Sequence, residues 1–275
     1  MSWGAKMIDA NGNRRITLIA AATAFVFFSL QAAAQEQGRP DLNGIWNGTV
    51  TSIQHPLWTV EELFQCNCTP EAYEYLNELL YNSQYDHMSA EDIIDEVARF
   101  NEEQIAATFT DAGRAYAEAF DHADDPAIQC EYFGAFRTIL HNDPILIEQT
   151  DDLITIYPED MASDRVIYMD GRSHPDEVLS PLGHSIGWYE GNTLVIETVG
   201  VSAAIADDSL SIHNTDGARS VERYTISEDG THLVMDFTLI DPNTFVEPLT
   251  LRRIRIFTPD WTIQDAPCES ISGER

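Results

Sequence analysis

Apolar and polar positions along this chain follow two different periods, and the change between them divides the sequence into zones. Residues 41–53 (DLNGIWNGTVTSI) read as a strand, with β-branched and aromatic residues after Gly44. Residues 59–122 switch to helical spacing. Thr69-Pro70-Glu71 is a helix start, followed by Tyr73, Leu76, Leu79 and Leu80 along one side. Ser89-Ala90-Glu91-Asp92 opens a second helix carrying Ile93, Ile94 and Val97, and residues 101–120 predict a third. From Cys130 onward the pattern is strands and turns: 132–140, 144–149, 152–157, 165–170, 184–189, 193–199, 219–227, 231–240, 249–257 and 261–265. Many short strands with hairpin turns and no βαβ alternation predict an antiparallel β-barrel of roughly eight to ten strands. Residues 59–122 then form a helical insertion after the first strand, packed over one opening.

Two hairpins can be registered from their turns. With Gly191-Asn192 as a two-residue turn, Glu190 pairs with Thr193 and paired positions sum to 383. One face then carries His184, Ile186, Trp188, Val195, Glu197 and Val199. With Asp229-Gly230 as the second turn, pairs sum to 459, and Arg223 stands opposite Asp236. The other face of that hairpin holds Tyr224, Ile226, Leu233, Met235, Phe237 and Leu239, so it is the inner one. Glu222 shares it, opposite Phe237, where a carboxylate is costly unless paired.

The N-terminus reads as a signal peptide. Lys6, Arg14 and Arg15 precede an apolar run, Ile16–Leu30, and Ala32-Ala33-Ala34 offers a cleavage site after Ala34. The expected mature protein is one barrel domain, 35–275, periplasmic or secreted, with no membrane span. The full chain has 15 Lys+Arg against 46 Asp+Glu, a formal charge of −31. The leader takes three of the basic residues and one acidic, leaving 12 and 45, or −33, and all 12 are Arg. Such a chain lacks the basic footprint that nucleic acid requires. Its acidic, solvated shell fits a saline (halophilic or marine) exterior and a monomer or small homo-oligomer. Four cysteines, Cys66, Cys68, Cys130 and Cys268, predict two disulfides in an exported chain. A Cys66–Cys68 bond would close a very tight ring, so each is expected to pair with Cys130 or Cys268.

Chemistry is concentrated in the strand half. Gly183-His184-Ser185-Ile186-Gly187 matches the Gly-x-Ser-x-Gly elbow of α/β-hydrolases, but that elbow needs a helix after the serine, and here a hairpin follows. Histidines are the stronger lead. His174 lies in a turn after the 165–170 strand, His184 opens the next strand, and His213 sits in the Gly/Asp-rich loop 207–217. Glu197 is a diagonal neighbour of His184 in the register above, and a His–carboxylate pair is the usual equipment for proton transfer near neutral pH. Glu222 beside Tyr224 and Arg219 is either a base of raised pKa or the partner of an inward arginine such as Arg137, Arg252 or Arg253.

The runs Asp170–Pro175, Gly183–Gly187, Glu190–Val195, Glu222-Arg223 and Asp241-Pro242 carry a resemblance. In them, residues 165–258 resemble a large family of exported, mostly uncharacterised bacterial proteins. The chain departs from the family's pattern at Trp188-Tyr189 and has a thinner histidine stretch near His213. The resemblance implies a lipocalin-like barrel and the location of the site, and says nothing of the reaction.

These readings converge on a small-molecule site inside the barrel, free of metal and cofactor. His184, His174, His213, Glu197 and Glu222 would perform acid–base chemistry of isomerase, lyase or cyclase type. Arg172, Trp188, Tyr224 and Arg137 would hold a largely apolar, oxygenated substrate. The alternatives are a non-catalytic ligand-binding barrel or a serine hydrolase using Ser185. Because neighbours in a strand face opposite ways, only one of His184 and Ser185 can look inward. The apolar company of His184 predicts that it is the histidine.

Overall fold

A computed structural model describes residues 39–48, 66–131, 133–160 and 163–264. The predicted signal peptide, the remainder of the first predicted strand and Cys268 lie outside them. The strands are β1 (Gly44–Asn47), β2 (Ile145–Gln149), β3 (Leu153–Pro158), β4 (Arg165–Tyr168), β5 (His184–Glu190), β6 (Thr193–Val201), β7 (Ala204–Asp207), β8 (Ile212–Asn214), β9 (Ala218–Ile226), β10 (His232–Ile240) and β11 (Leu249–Phe257). Nine of them close a barrel in the order β1-β11-β10-β9-β6-β5-β4-β3-β2, and β7 and β8 form a separate hairpin. Both turn-based registers hold: Glu190 faces Thr193 and His184 faces Val199, while Phe237 faces Glu222 and Asp236 faces Arg223. The ring departs from the antiparallel expectation at one place, since β4 and β5 run parallel, with Ile167 beside Ser185. Geometry demands this. Directions can alternate all the way round a closed ring only if the number of strands is even.

The barrel interior is occupied by side chains. Trp46, Ile145, Ile147, Ile154, Ile156, Ile167, Leu194, Ile196, Leu233 and Met235 pack there in one buried cluster. The run 132–140, predicted as a strand, instead forms a short helix over Ala135–Leu140 whose six residues are all buried. A brief apolar run with no polar face reads equally as a buried strand or a buried helix. This helix plugs the barrel: Ile139 belongs to the interior cluster, and Phe136 and Leu140 to a second cluster at the barrel end. Its C-terminal carbonyls are satisfied by Arg255 on the inner face of β11, which donates to Ile139 O at 3.1 Å and His141 O at 2.7 Å. Residues 261–264 of the last predicted strand lie outside any strand.

The helical insertion consists of α1 (Pro70–Tyr81), α2 (Ala90–Thr108) and α3 (Asp111–Ala119), followed by the plug as α4. Both helices start where the sequence predicts, with Thr69 capping α1 and Ser89 and Asp92 forming a capping box on α2. The predicted third helix divides at Phe109 and Thr110, because Thr110 N bonds to Thr244 O and Phe109 stacks on Phe245. Ile105 and Phe109 thereby cover the strand ends at Val201, Ala218, Leu239 and Leu249, closing that opening. α1 and α2 share a smaller core with Cys68, which pairs through its backbone with Arg252 of β11.

The cysteine pairing differs from expectation. Cys66 and Cys68 are bonded to each other, with a Cα–Cα separation of 5.1 Å that lies inside the ordinary disulfide range. Backbone pairing of Cys68 with Arg252, and the bonds of Asn67 to Leu140 O and Arg253, hold the intervening residue in the turn that ring closure requires. Cys130 is also disulfide-bonded.

Glu222 is fully buried, and its partner is Arg165 rather than Arg137, Arg252 or Arg253, through bonds of 2.6 and 3.0 Å. Tyr224 and Ser220 donate to the same carboxylate. Ser185 and Thr198 accept from Arg165. Burial first, and then the Glu222 carboxylate, push the Tyr224 phenol well above its ordinary range, so it remains a donor. Removing one member strands a charge. Glu222→Ala should destabilise the protein by about 3–5 kcal/mol, while Arg165→Met with Glu222→Leu restores most of that loss. Urea unfolding of the three proteins measures it, and equal losses in the single and double variants would contradict the account.

Candidate functional site

The inner position at the start of β5 belongs to Ser185, 2% exposed, and His184 faces outward. That reverses the orientation predicted for the pair. The apolar partners of His184 lie on an outer face that the chain itself covers around His184 and leaves open at Trp188, and a covered outer face has the same composition as an inner one. The cover is the crossover 169–183, which the parallel β4–β5 pair requires. Ser180 lies alongside Val201, accepting from Ser202 N and donating to Gly200 O. Gly200 has φ +67°, and a Cβ there would stand 2.2 Å from Val178 O, so only glycine admits the crossover this close.

The crossover carries His174 back over β5 and β6. His174 Nδ1 lies 2.8 Å from His184 Nδ1, and His174 Nε2 lies 3.5 Å from Glu197 Oε2, a charge-pair distance. Arg219 stands 3.6 Å from the other Glu197 oxygen. A carboxylate facing Nε2 favours the His174 tautomer protonated there. His174 Nδ1 then accepts from His184 Nδ1–H, which leaves His184 Nε2 as the basic nitrogen. The His184 ring stacks on Tyr168, and the Arg172 guanidinium covers the same tyrosine at 3.7 Å. Arg172 also grips Asp170 with two nitrogens, which holds that carboxyl down at about 2. Burial, then His174 and Arg172, lower the pKa of His184. Trp188 lies further along the same face, 40% exposed, its indole bonded to Glu190.

Three predicted members therefore meet (His174, His184 and Glu197), with Arg172 at their edge. The others are elsewhere. Glu222 and Tyr224 sit sealed in the interior, bonded to Arg165. His213, on β8, stacks against Tyr116 of α3 at 3.6 Å, with Nε2 3.5 Å from Thr244 Oγ1. Arg137, on the plug, pairs with Asp125 at 2.8 Å and lies over Phe133. Arg137 lines two cavities, of about 200 and 180 Å³, between the plug and its surrounding loops. Among the described residues, no group of three or more His, Cys, Asp or Glu side chains is placed to hold a metal ion. Tyr168 and Arg165 escape the sequence reading. Alternation along Arg165-Val166-Ile167-Tyr168 puts Arg165 on the same face as Ile167, and that was the available signal. No family model, curated protein or solved structure matches this chain.

Burial lowers the pKa of His213 as well as that of His184. Their unfolded-state value is 6.5, so as pH falls through it the unfolded chain takes up protons first. Stability should hold above neutrality and fall as pH drops below about 6.5, before most carboxylates titrate. In His213→Asn that slope becomes shallower. A melting temperature flat across the same window in the unaltered protein would contradict the assignment.

Proposed function

We propose that the protein is an exported small-molecule enzyme that moves protons through His184, His174 and Glu197 on the outer wall of its barrel. The observation that carries this reading is the convergence of two imidazole Nδ1 atoms with a carboxylate at the far nitrogen of one of them. Glu197 orients His174, His174 orients His184, and His184 Nε2 acts as the base or, once protonated, the acid. The lowered pKa of His184 supports the basic role at neutral pH. Tyr168, stacked on the His184 ring, offers apolar surface, with Trp188 further along the same face, and Arg172 offers a cation, a setting suited to an oxygenated, largely apolar substrate.

Among the described residues, Ser185 has no histidine partner. It is enclosed by Arg165 and Thr198, which speaks against a serine nucleophile. The barrel interior is filled, so a lipocalin-like ligand chamber there finds no support. A purely ligand-binding role draws its support from the cavities beside Arg137.

The test is a screen for turnover of oxygenated apolar compounds by the mature protein, followed by variants. His184→Ala and His174→Ala should each lose about 10²-fold or more of any activity found. Ser185→Ala should keep the activity per folded molecule. Covalent labelling of Ser185 by a fluorophosphonate would overturn the proposal.

A further inference from the structure

The Cys66–Cys68 bond closes a loop over one residue. A disulfide stabilises a fold chiefly by removing unfolded-state freedom, and the gain grows with the length of loop closed. A bond that spans only Asn67 removes little of that freedom, so it is a poor staple. Its surroundings favour a different role. Cys68 stands two residues before the first residue of α1, at the positive end of a twelve-residue helix. Both cysteines line a cavity of about 230 Å³, together with Asn101, Asn142 and the guanidinium of Arg253. Arg253 is 2% exposed and makes no ion pair among the described residues. It donates to Asn67 Oδ1, Gly48 O and Asn142 Oδ1, while its Nε has no partner. Three carboxylates are near, one of them Asp143, whose charge acts on Arg253. Glu102 lines the cavity, and Asp207 is engaged by Asn67, Ser209 and Leu210 N.

We propose that Cys66–Cys68 is a thiol–disulfide exchange site. Cys66 is half-buried and Cys68 is 1% exposed, so Cys66 Sγ is the sulfur open to attack. A substrate thiolate bonds to Cys66 Sγ, and the electron pair of the broken S–S bond leaves on Cys68 Sγ. The helix N-terminus and the buried Arg253 cation lining the same cavity stabilise that leaving thiolate against the apolar packing of Cys68 on Ala72, Leu76 and Val97, which speeds exchange. A second substrate thiolate then attacks the substrate sulfur of the mixed disulfide and releases Cys66. Two thiols become one disulfide, and the Cys66–Cys68 pair gains two electrons and two protons. The backbone bonds of Cys68 to Arg252 and of Tyr73 OH to Cys66 O hold the segment in place in both states.

The mature protein, equilibrated in glutathione buffers of stepped ratio, alkylated and digested, tests this. The Cys66–Cys68 pair should open at a ratio at least roughly tenfold more oxidising than the one that opens the Cys130 disulfide, with the circular dichroism spectrum unchanged. In Cys68→Ser, glutathione should be trapped on Cys66. Two results would overturn the proposal: a Cys66–Cys68 bond reduced only together with unfolding, or peptides joining either residue to Cys130 or Cys268. If Cys68→Ser does not fold, the glutathione equilibrium of the unaltered protein decides alone.

Discussion

A closed ring of nine strands cannot alternate direction throughout, and this parity shapes much of what surrounds it. The one parallel neighbour pair, β4 and β5, cannot be joined by a tight turn. It needs a crossover, and the interior is already full, so the crossover lies outside. Its course brings His174 onto His184 and Glu197. Gly200 supplies the close approach that keeps it there. The candidate chemistry thus sits on the barrel's outer wall for a topological reason.

The interior obeys a second constraint. Its side of the wall near β5 is polar, yet sealed. Arg165 and Glu222 neutralise each other, and Tyr224, Ser220, Ser185 and Thr198 occupy the remaining donors and acceptors. A buried charge without such a shell would cost several kcal/mol. Further along, Arg255 gives its two terminal nitrogens to the carbonyls at the end of the plug helix and to Asp143 O. Crowding by the low-polarity interior, and then by Arg253, brings the pKa of Arg255 down to about 9. Arginine suits these posts because a planar fork of donors reaches several acceptors at once.

Where local rules decide, the sequence was sufficient. The Gly191-Asn192 and Asp229-Gly230 turns set their registers residue by residue, and Thr69 and Ser89 marked their helix starts. Where a choice depended on distant chain, it failed. Ala135–Leu140 has no polar face to reveal its period, and only enclosure by the barrel makes it a helix. The outward face of His184 looked like a core face because residues 169–183 cover it, and no local pattern announces that cover. His174, His184 and Glu197 were nonetheless legible as a group, since the hairpin register had already placed two of them on one face.

β1 pairs with both β2 and β11, so the N-terminal strand and the C-terminal strand share the seam of the ring. β11 also carries Arg255, which ties the end of the plug across 116 residues of sequence. The molecule therefore reaches its closed form only after its last strand has been made and released. Until then β1 and β10 are open edges, available to any extended chain nearby. Contacts so remote in sequence form slowly, and the dense negative charge of this chain gives its incomplete forms a means of staying apart while they wait.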